Sequence, residues 1–125
     1  MRNNESAEMY LETILMLTEE KGQVRSIDVA RQTGYSKPSI SRAMGLLKKR
    51  GFIEINELGY ITLTESGKNS AYRVLERHRI LTDFLLSVGV DEENASEDAC
   101  RMEHVISDVS LSKIKDFTEK LKDLK

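Results

Sequence analysis

The chain has 125 residues, of which 39% are hydrophobic and 32% charged, with a net charge of -2; that size suits one domain or two very small ones sharing a core. No apolar run is long enough to cross a bilayer, and Met1 to Glu8 is polar rather than a basic end leading into an apolar stretch, so no membrane partner and a cytoplasmic location are expected. The single cysteine, Cys100, can form no internal disulfide, which leaves packing to stabilise the fold and makes the thiol either core filler or a group with a task.

In chain order, Tyr10, Leu11, Ile14, Leu15 and Leu17 recur at helical spacing and predict an amphipathic first helix over about residues 5–21, ended by Gly22. Ser26 stands as N-cap of a short second helix carrying Ile27, Val29 and Ala30, and Gly34 closes it. Ser36 caps a third helix from Lys37 to about Arg50, with Ile40, Met44 and Leu47 inward. Pro38 falls in its first turn, where a missing amide hydrogen costs nothing. Phe52 to Ile55, the turn Asn56-Glu57-Leu58-Gly59, and Tyr60 to Leu63 read as strand, turn and strand. Thr64 caps a long fourth helix to about Val88, with Val74, Leu75, Leu81, Phe84 and Leu85 on its apolar face. Asp91 starts a fifth helix reaching about Ser107, and Ser110 a sixth bearing Leu111, Ile114, Phe117, Leu121 and Leu124. With no Pro- or Gly-rich linker between them, the fourth helix must join two domains. The expected fold is mainly α with a small β wing: an N-terminal winged helix-turn-helix over residues 1–72 and a helical domain over 73–125.

Charge divides along the chain. From Gly22 to Arg50 seven basic residues (Arg25, Arg31, Lys37, Arg42, Lys48, Lys49 and Arg50) face one acid, Asp28; from Val88 to Asp108 seven acids oppose Arg101 alone. Two solvated faces would also give this pattern, but a polyanion partner for the first half and a cation for the second is the economical electrostatic reading. Two short helices joined by a turn, the second basic and followed by a hairpin, point to double-stranded DNA. Ser36, Lys37, Pro38, Ser39, Ser41 and Arg42 occupy the stretch that enters the major groove, and Arg42 suits bidentate pairing to guanine. Ser36, Ser39 and the helix N-terminus suit phosphates, while Lys48, Lys49 and Arg50 either touch backbone or simply favour the helix C-terminal dipole. So few contacts per module call for a homodimer on a palindromic site.

Cys100, Glu103 and His104 stand at i, i+3 and i+4, which would put all three on one face of the fifth helix. Sulfur, carboxylate and imidazole hold first-row divalent metals, though such a string alone is common on exposed helices. His78 falls on the apolar stripe of the fourth helix, where a satisfied core histidine is the ordinary reading. Met9 and Glu12 are i, i+3 neighbours on the first helix, with Met9 an ordinary packing residue by pattern. Spacing alone unites none of these places.

The string Glu97-Asp98-Ala99-Cys100-Arg101-Met102-Glu103-His104-Val105-Ile106-Ser107 closely resembles the metal-site helix of the diphtheria-toxin-repressor family of iron- and manganese-dependent repressors. Glu8-Met9-Tyr10-Leu11, Thr64-Glu65-Ser66-Gly67 and Arg77-His78-Arg79 fall at matching places in the same order, so the resemblance covers nearly the whole chain. It implies a metal-activated repressor whose helical domain binds metal and dimerises. In iron-type members the activating site corresponds to Met9, Cys100, Glu103 and His104; in manganese-type members Glu12 and His78 also ligate, with an aspartate and a glutamate where this chain has Met9 and Cys100. Two soft donors at those positions favour Fe(II), with Mn(II) second and Co(II), Ni(II) or Zn(II) as surrogates. Thr82 and Ser96 stand where iron-type members build an ancillary site, which is expected to be absent or weak here, and Asp83 is offset from it. The SH3-like third domain of longer members has no counterpart before Lys125. A metal shared by Met9 and Glu12 with the helical-domain ligands would tether the two domains and lower the ordering cost of binding DNA.

Two other readings stand beside this one. A metal-independent winged-helix regulator could sense oxidants or a small ligand through Cys100, although Glu97, Asp98 and Glu103 disfavour its thiolate. A zinc hydrolase with Glu103 as base would need an open catalytic geometry and a cleft for which the chain has little room.

Overall fold

The computed structural model describes residues 3–124, with side chains from residue 7 onward; Met1 and Arg2 of the polar start, and Lys125, lie outside them. The described residues form α1 (Asn3–Lys21), α2 (Ser26–Thr33), α3 (Lys37–Lys49), β1 (Ile53–Ile55), β2 (Ile61–Leu63), α4 (Glu65–Ser87), α5 (Glu92–Met102) and α6 (Asp108–Asp123). They divide into two compact units, Met1–Tyr72 and Arg73–Lys125, with the boundary inside α4. None of the described helices is long and apolar enough to cross a membrane.

In the first unit α1 packs on α2 and β2, α2 on α3, and α3 on β1. Leu11, Ile14, Val29, Ile40, Met44 and Ile53 are fully buried, and each such side chain contributes roughly 1.5–3 kcal/mol. Burial of Ile40, Met44 and Leu47 fixes the rotation of α3, so the rest of that helix faces outward. The N-cap of α2 is Arg25, one residue earlier than the expected Ser26. The reason is Asp28, whose carboxylate accepts the Arg25 amide N–H at 2.9 Å and the Lys21 ammonium at 2.8 Å. Those two bonds, Lys21 first, hold the Asp28 carboxyl below its ordinary pKa. Ser36 caps α3 as expected, accepting the Ser39 N–H.

The wing is an antiparallel pair in which Ile53 faces Leu63 and Ile55 faces Ile61. Val24 adds a bridge, its carbonyl accepting the Ile61 N–H at 2.7 Å. The Asn56 side-chain oxygen takes the N–H groups of Leu58 and Tyr60, and Gly59, at φ 85°, closes the turn in a region that suits glycine. After the wing, the Thr64 hydroxyl donates to the Gly51 carbonyl and accepts the Gly67 N–H. Gly67 has no freedom to be anything larger: a Cβ there would lie 2.0 Å from the Phe52 carbonyl oxygen.

The second unit departs from expectation where α5 gives way to α6. The fifth helix stops at Met102 instead of running to Ser107, and just beyond it the chain tightens, the Val105 N–H bonding the Met102 carbonyl three residues back. The sixth starts at Asp108, two residues before the expected Ser110, since Ser107 is its N-cap and accepts the Ser110 N–H at 3.1 Å. Ser107 and Ser110 thus repeat the cap made by Ser36 and Ser39. Asp91 caps α5 as expected, accepting from Asn94.

Candidate metal centre and nucleic-acid interface

The chemistry of the second unit gathers at Glu103, the C-cap residue of α5. Its side chain is fully buried. One carboxylate oxygen lies 2.9 Å from Nδ1 of His78 on α4. The other, Oε1, is 3.3 Å from Nε2 of His104 but has no hydrogen-bond partner among the described residues, so that approach is proximity without hydrogen-bond alignment. A buried carboxylate with an unsatisfied oxygen is costly unless a cation neutralises it. Two imidazoles and one carboxylate are a donor set suited to a first-row divalent metal, so the residues present fit the ion that the resemblance implies. Among the described residues no group of three or more His, Cys, Asp or Glu side chains stands as a ready metal cage. His78 and His104 instead flank the Glu103 carboxylate, the first hydrogen-bonded to it and the second close by.

The other expected ligands fall as follows. Cys100 is exposed on the last full turn of α5, whereas Glu103 is buried and His104 half-buried in the turn beyond it. The expected run of the helix through all three is corrected: α5 ends at Met102, with Glu103 its C-cap and His104 beyond it. Met9 and Glu12 lie one turn apart on α1 in the first unit, both half-buried. Among the described residues the buried Thr82 hydroxyl has no hydrogen-bond partner, and Asp83 is paired with Lys122 at 3.2 Å.

Arg77 is the residue that sequence reasoning missed. Its guanidinium is buried and donates from Nε to the Glu103 carbonyl at 2.7 Å, from Nη1 to Asp108 at 2.8 Å, and from Nη2 to the Ile106 carbonyl. Asp108, itself exposed, is held below its usual carboxylate range first by Arg73 and then by Arg77. The signal was available: Val74, Arg77 and Leu81 fall on one helical stripe, and a charged residue between two buried ones needs a partner.

In the first unit, α3 presents Lys37, Pro38, Ser41, Arg42, Lys48 and Lys49 to solvent, followed by exposed Arg50, while Ser39 is half-buried. Pro38, Arg42 and Lys49 stand opposite the buried stripe, the face a groove would receive. The Ser36 hydroxyl is already engaged, accepting the Ser39 N–H at 3.3 Å and donating to the Ser39 hydroxyl at 2.9 Å. Arg25, exposed at the start of α2, lies with its guanidinium 4.6 Å from the Tyr60 ring centre, so a cation is placed beside the base of the wing. The wing itself, from Phe52 to Leu63, has no basic residue and carries Glu54 and Glu57. From Gly22 to Leu63 the basic residues therefore all lie on α2, α3 or their caps. Tyr10 of α1 meets Tyr35 edge-on at 6.3 Å, which fastens the turn between α2 and α3, and burial raises the Tyr10 phenol pKa.

Residues 4–59 match the family described as iron dependent repressor, N-terminal DNA binding domain. Residues 64–123 match the iron dependent repressor metal binding and dimerisation domain. The chain is 33% identical over 122 residues to an uncharacterized HTH-type transcriptional regulator of Methanocaldococcus jannaschii, covering 96% of this chain and 98% of that protein. It is 37% identical over 111 residues to the transcriptional regulator MntR of Escherichia coli, covering 89% of this chain and 72% of that one. A solved manganese-dependent transcriptional repressor in complex with manganese superposes with a TM-score of 0.82 at 28% identity, over 90% of this chain and 52% of its own. The chain thus spans about half the length of that structure.

Proposed function

This chain belongs to the iron-dependent repressor family, and from that premise we propose that it represses transcription by binding a palindromic DNA operator as a homodimer in the cytoplasm, with Fe(II) as corepressor. At the coarser level it is a metal-dependent transcriptional regulator and not an enzyme. The observation that carries the reading is the buried Glu103 carboxylate, with an imidazole beside each oxygen and one oxygen lacking a hydrogen bond among the described residues.

The proposed ligands are Glu103, His104 and His78 from the second unit with Cys100 beside them, and Met9 and Glu12 carried over from the family resemblance. When bound, a divalent cation supplies the positive charge that the Glu103 carboxylate lacks. The protein's own residues do the rest. His78 and Glu103 orient each other through their 2.9 Å bond, which limits the reorganisation needed to ligate. On the DNA side, Arg42 reads a base edge while Lys37, Ser39, Ser41, Lys48, Arg50 and Arg25 position the duplex through phosphates. Ser36 and Pro38 shape the start of α3, whose unsatisfied N–H groups favour a phosphate. If metal acts as corepressor by raising the affinity for DNA, DNA must raise the affinity for metal by the same factor.

A second reading, Mn(II) as corepressor, is favoured by a specific observation: the three donors that stand together are nitrogen, oxygen and nitrogen, with the Cys100 thiol exposed. The manganese named for a related structure agrees with it. Anaerobic calorimetric titration of wild type and Cys100→Ala with Fe(II) and with Mn(II) separates the two. If iron is preferred through sulfur, Cys100→Ala loses about tenfold or more in Fe(II) affinity and little in Mn(II) affinity. Unchanged Fe(II) affinity would remove Cys100 from the ligand set and leave manganese as the better reading.

A further inference from the structure

We propose that Arg77 is the positioning residue of the metal centre: its guanidinium fixes the turn from Glu103 to Asp108 so that the Glu103 carboxylate is held between His78 and His104. The inference rests on the reading of those three residues as metal ligands. Arg77 is only 6% exposed, and a buried guanidinium needs several acceptors to offset its desolvation. It has three, all in one short segment: the carbonyls of Glu103 and Ile106 and the carboxylate of Asp108. Asp108 is largely exposed and shared with Arg73 at 3.2 Å, so water screens it. The interior partners are the two carbonyls.

Those carbonyls belong to the stretch where α5 has just ended, and helix C-terminal carbonyls have no partner within the helix. A cation at that end also suits the helix dipole. Arg77 therefore does for the end of α5 what a C-cap would do, and it does so from α4. The next residue on α4 is His78, which bonds the Glu103 carboxylate. One helix thus grips Glu103 twice, by its main-chain carbonyl through Arg77 and by its side chain through His78. That pair of contacts sets both the place and the rotation of the ligand. Only a planar, multi-donor fork can reach the carbonyls of residues 103 and 106 and the carboxylate of residue 108 together; a lysine ammonium is a single point.

The test uses the full chain as wild type, Arg77→Lys and Glu103→Gln, with Co(II) absorption and calorimetry reading metal affinity and circular dichroism reading the fold. Arg77→Lys is expected to keep its helical content and lose about 10- to 100-fold in Co(II) affinity, the usual effect of removing a group that orients a ligand. Its Co(II) spectrum should shift, which a loss of stability alone would not cause. Affinity within twofold of wild type with an unchanged spectrum would overturn the proposal. Should Arg77→Lys fail to fold, wild type alone still decides, because a residue that aids metal binding must itself be held more firmly when metal is bound. Exchange of the Arg77 Nε–H, followed by NMR, is expected to slow about tenfold with diamagnetic Zn(II); unchanged exchange would overturn the proposal. Failure of the underlying metal reading is distinct: wild type would bind no Co(II) or Zn(II), or Glu103→Gln would bind as well as wild type.

Discussion

Glu103 is placed where a carboxylate is costly, fully buried and with one oxygen that no hydrogen bond from the described residues reaches. A group kept in that state serves binding and not stability. Glu103→Gln is therefore expected to bind Mn(II) or Fe(II) about 100-fold more weakly while its metal-free form, followed by urea unfolding, is as stable as wild type or more so by about 1 kcal/mol. Metal affinity within threefold of wild type would contradict that assignment. Single residues were legible in the sequence only in part. Spacing made Glu103 and His104 neighbours, and composition made them plausible ligands. It could not make His78 meet Glu103, because that bond joins residues 25 apart through the packing of α4 against the end of α5. The stripe marked Arg77 as needing a partner, but its interior partners were hidden for the same reason: they are main-chain carbonyls, which no residue type advertises.

Elements were more legible than residues, because helical periodicity and caps are local. Every expected helix and both strands are present, and Ser36, Thr64 and Asp91 cap as expected. The departures come from side chains that act at a distance of a few residues, Asp28 drawing the start of α2 back to Arg25, and Ser107 capping α6 three residues before Ser110. The end of α5 at Met102 was not legible, since Glu103 to Ser107 carries no Gly or Pro to mark it. Gly67 shows what a motif read only as resemblance means physically. The segment from Thr64 to Gly67 ties α4 to the start of the wing by the Thr64 N–H on the Phe52 carbonyl, by the Thr64 hydroxyl on the adjoining Gly51 carbonyl and by the close approach of Gly67 to the Phe52 carbonyl. Gly67→Ala should cost about 2 kcal/mol or more, because the added methyl would meet rigid backbone at 2.0 Å. Chemical denaturation would measure it, and a loss under about 0.5 kcal/mol, the range of a neutral surface change, would mean that α4 is free to shift against the wing.

Across the whole molecule, the opposed charges of Gly22 to Arg50 and Val88 to Asp108 fall in different compact units, Met1–Tyr72 and Arg73–Lys125. The first presents a basic helix with its apolar stripe buried beneath it, and the second holds the buried carboxylate and its imidazoles. Coupling between them is what makes a metal-dependent regulator, and it is reciprocal by thermodynamic necessity. The measurement that tests this most directly is selection of duplexes from a random DNA pool by the purified chain, with the affinity of the selected duplex then titrated under three conditions: Fe(II), Mn(II) and excess chelator. The account predicts a palindromic consensus recovered only with metal, and a loss of affinity of about 5- to 150-fold on chelation, the usual span of coupling between two sites. Equal affinity with and without chelator, for a sequence selected either way, would contradict it.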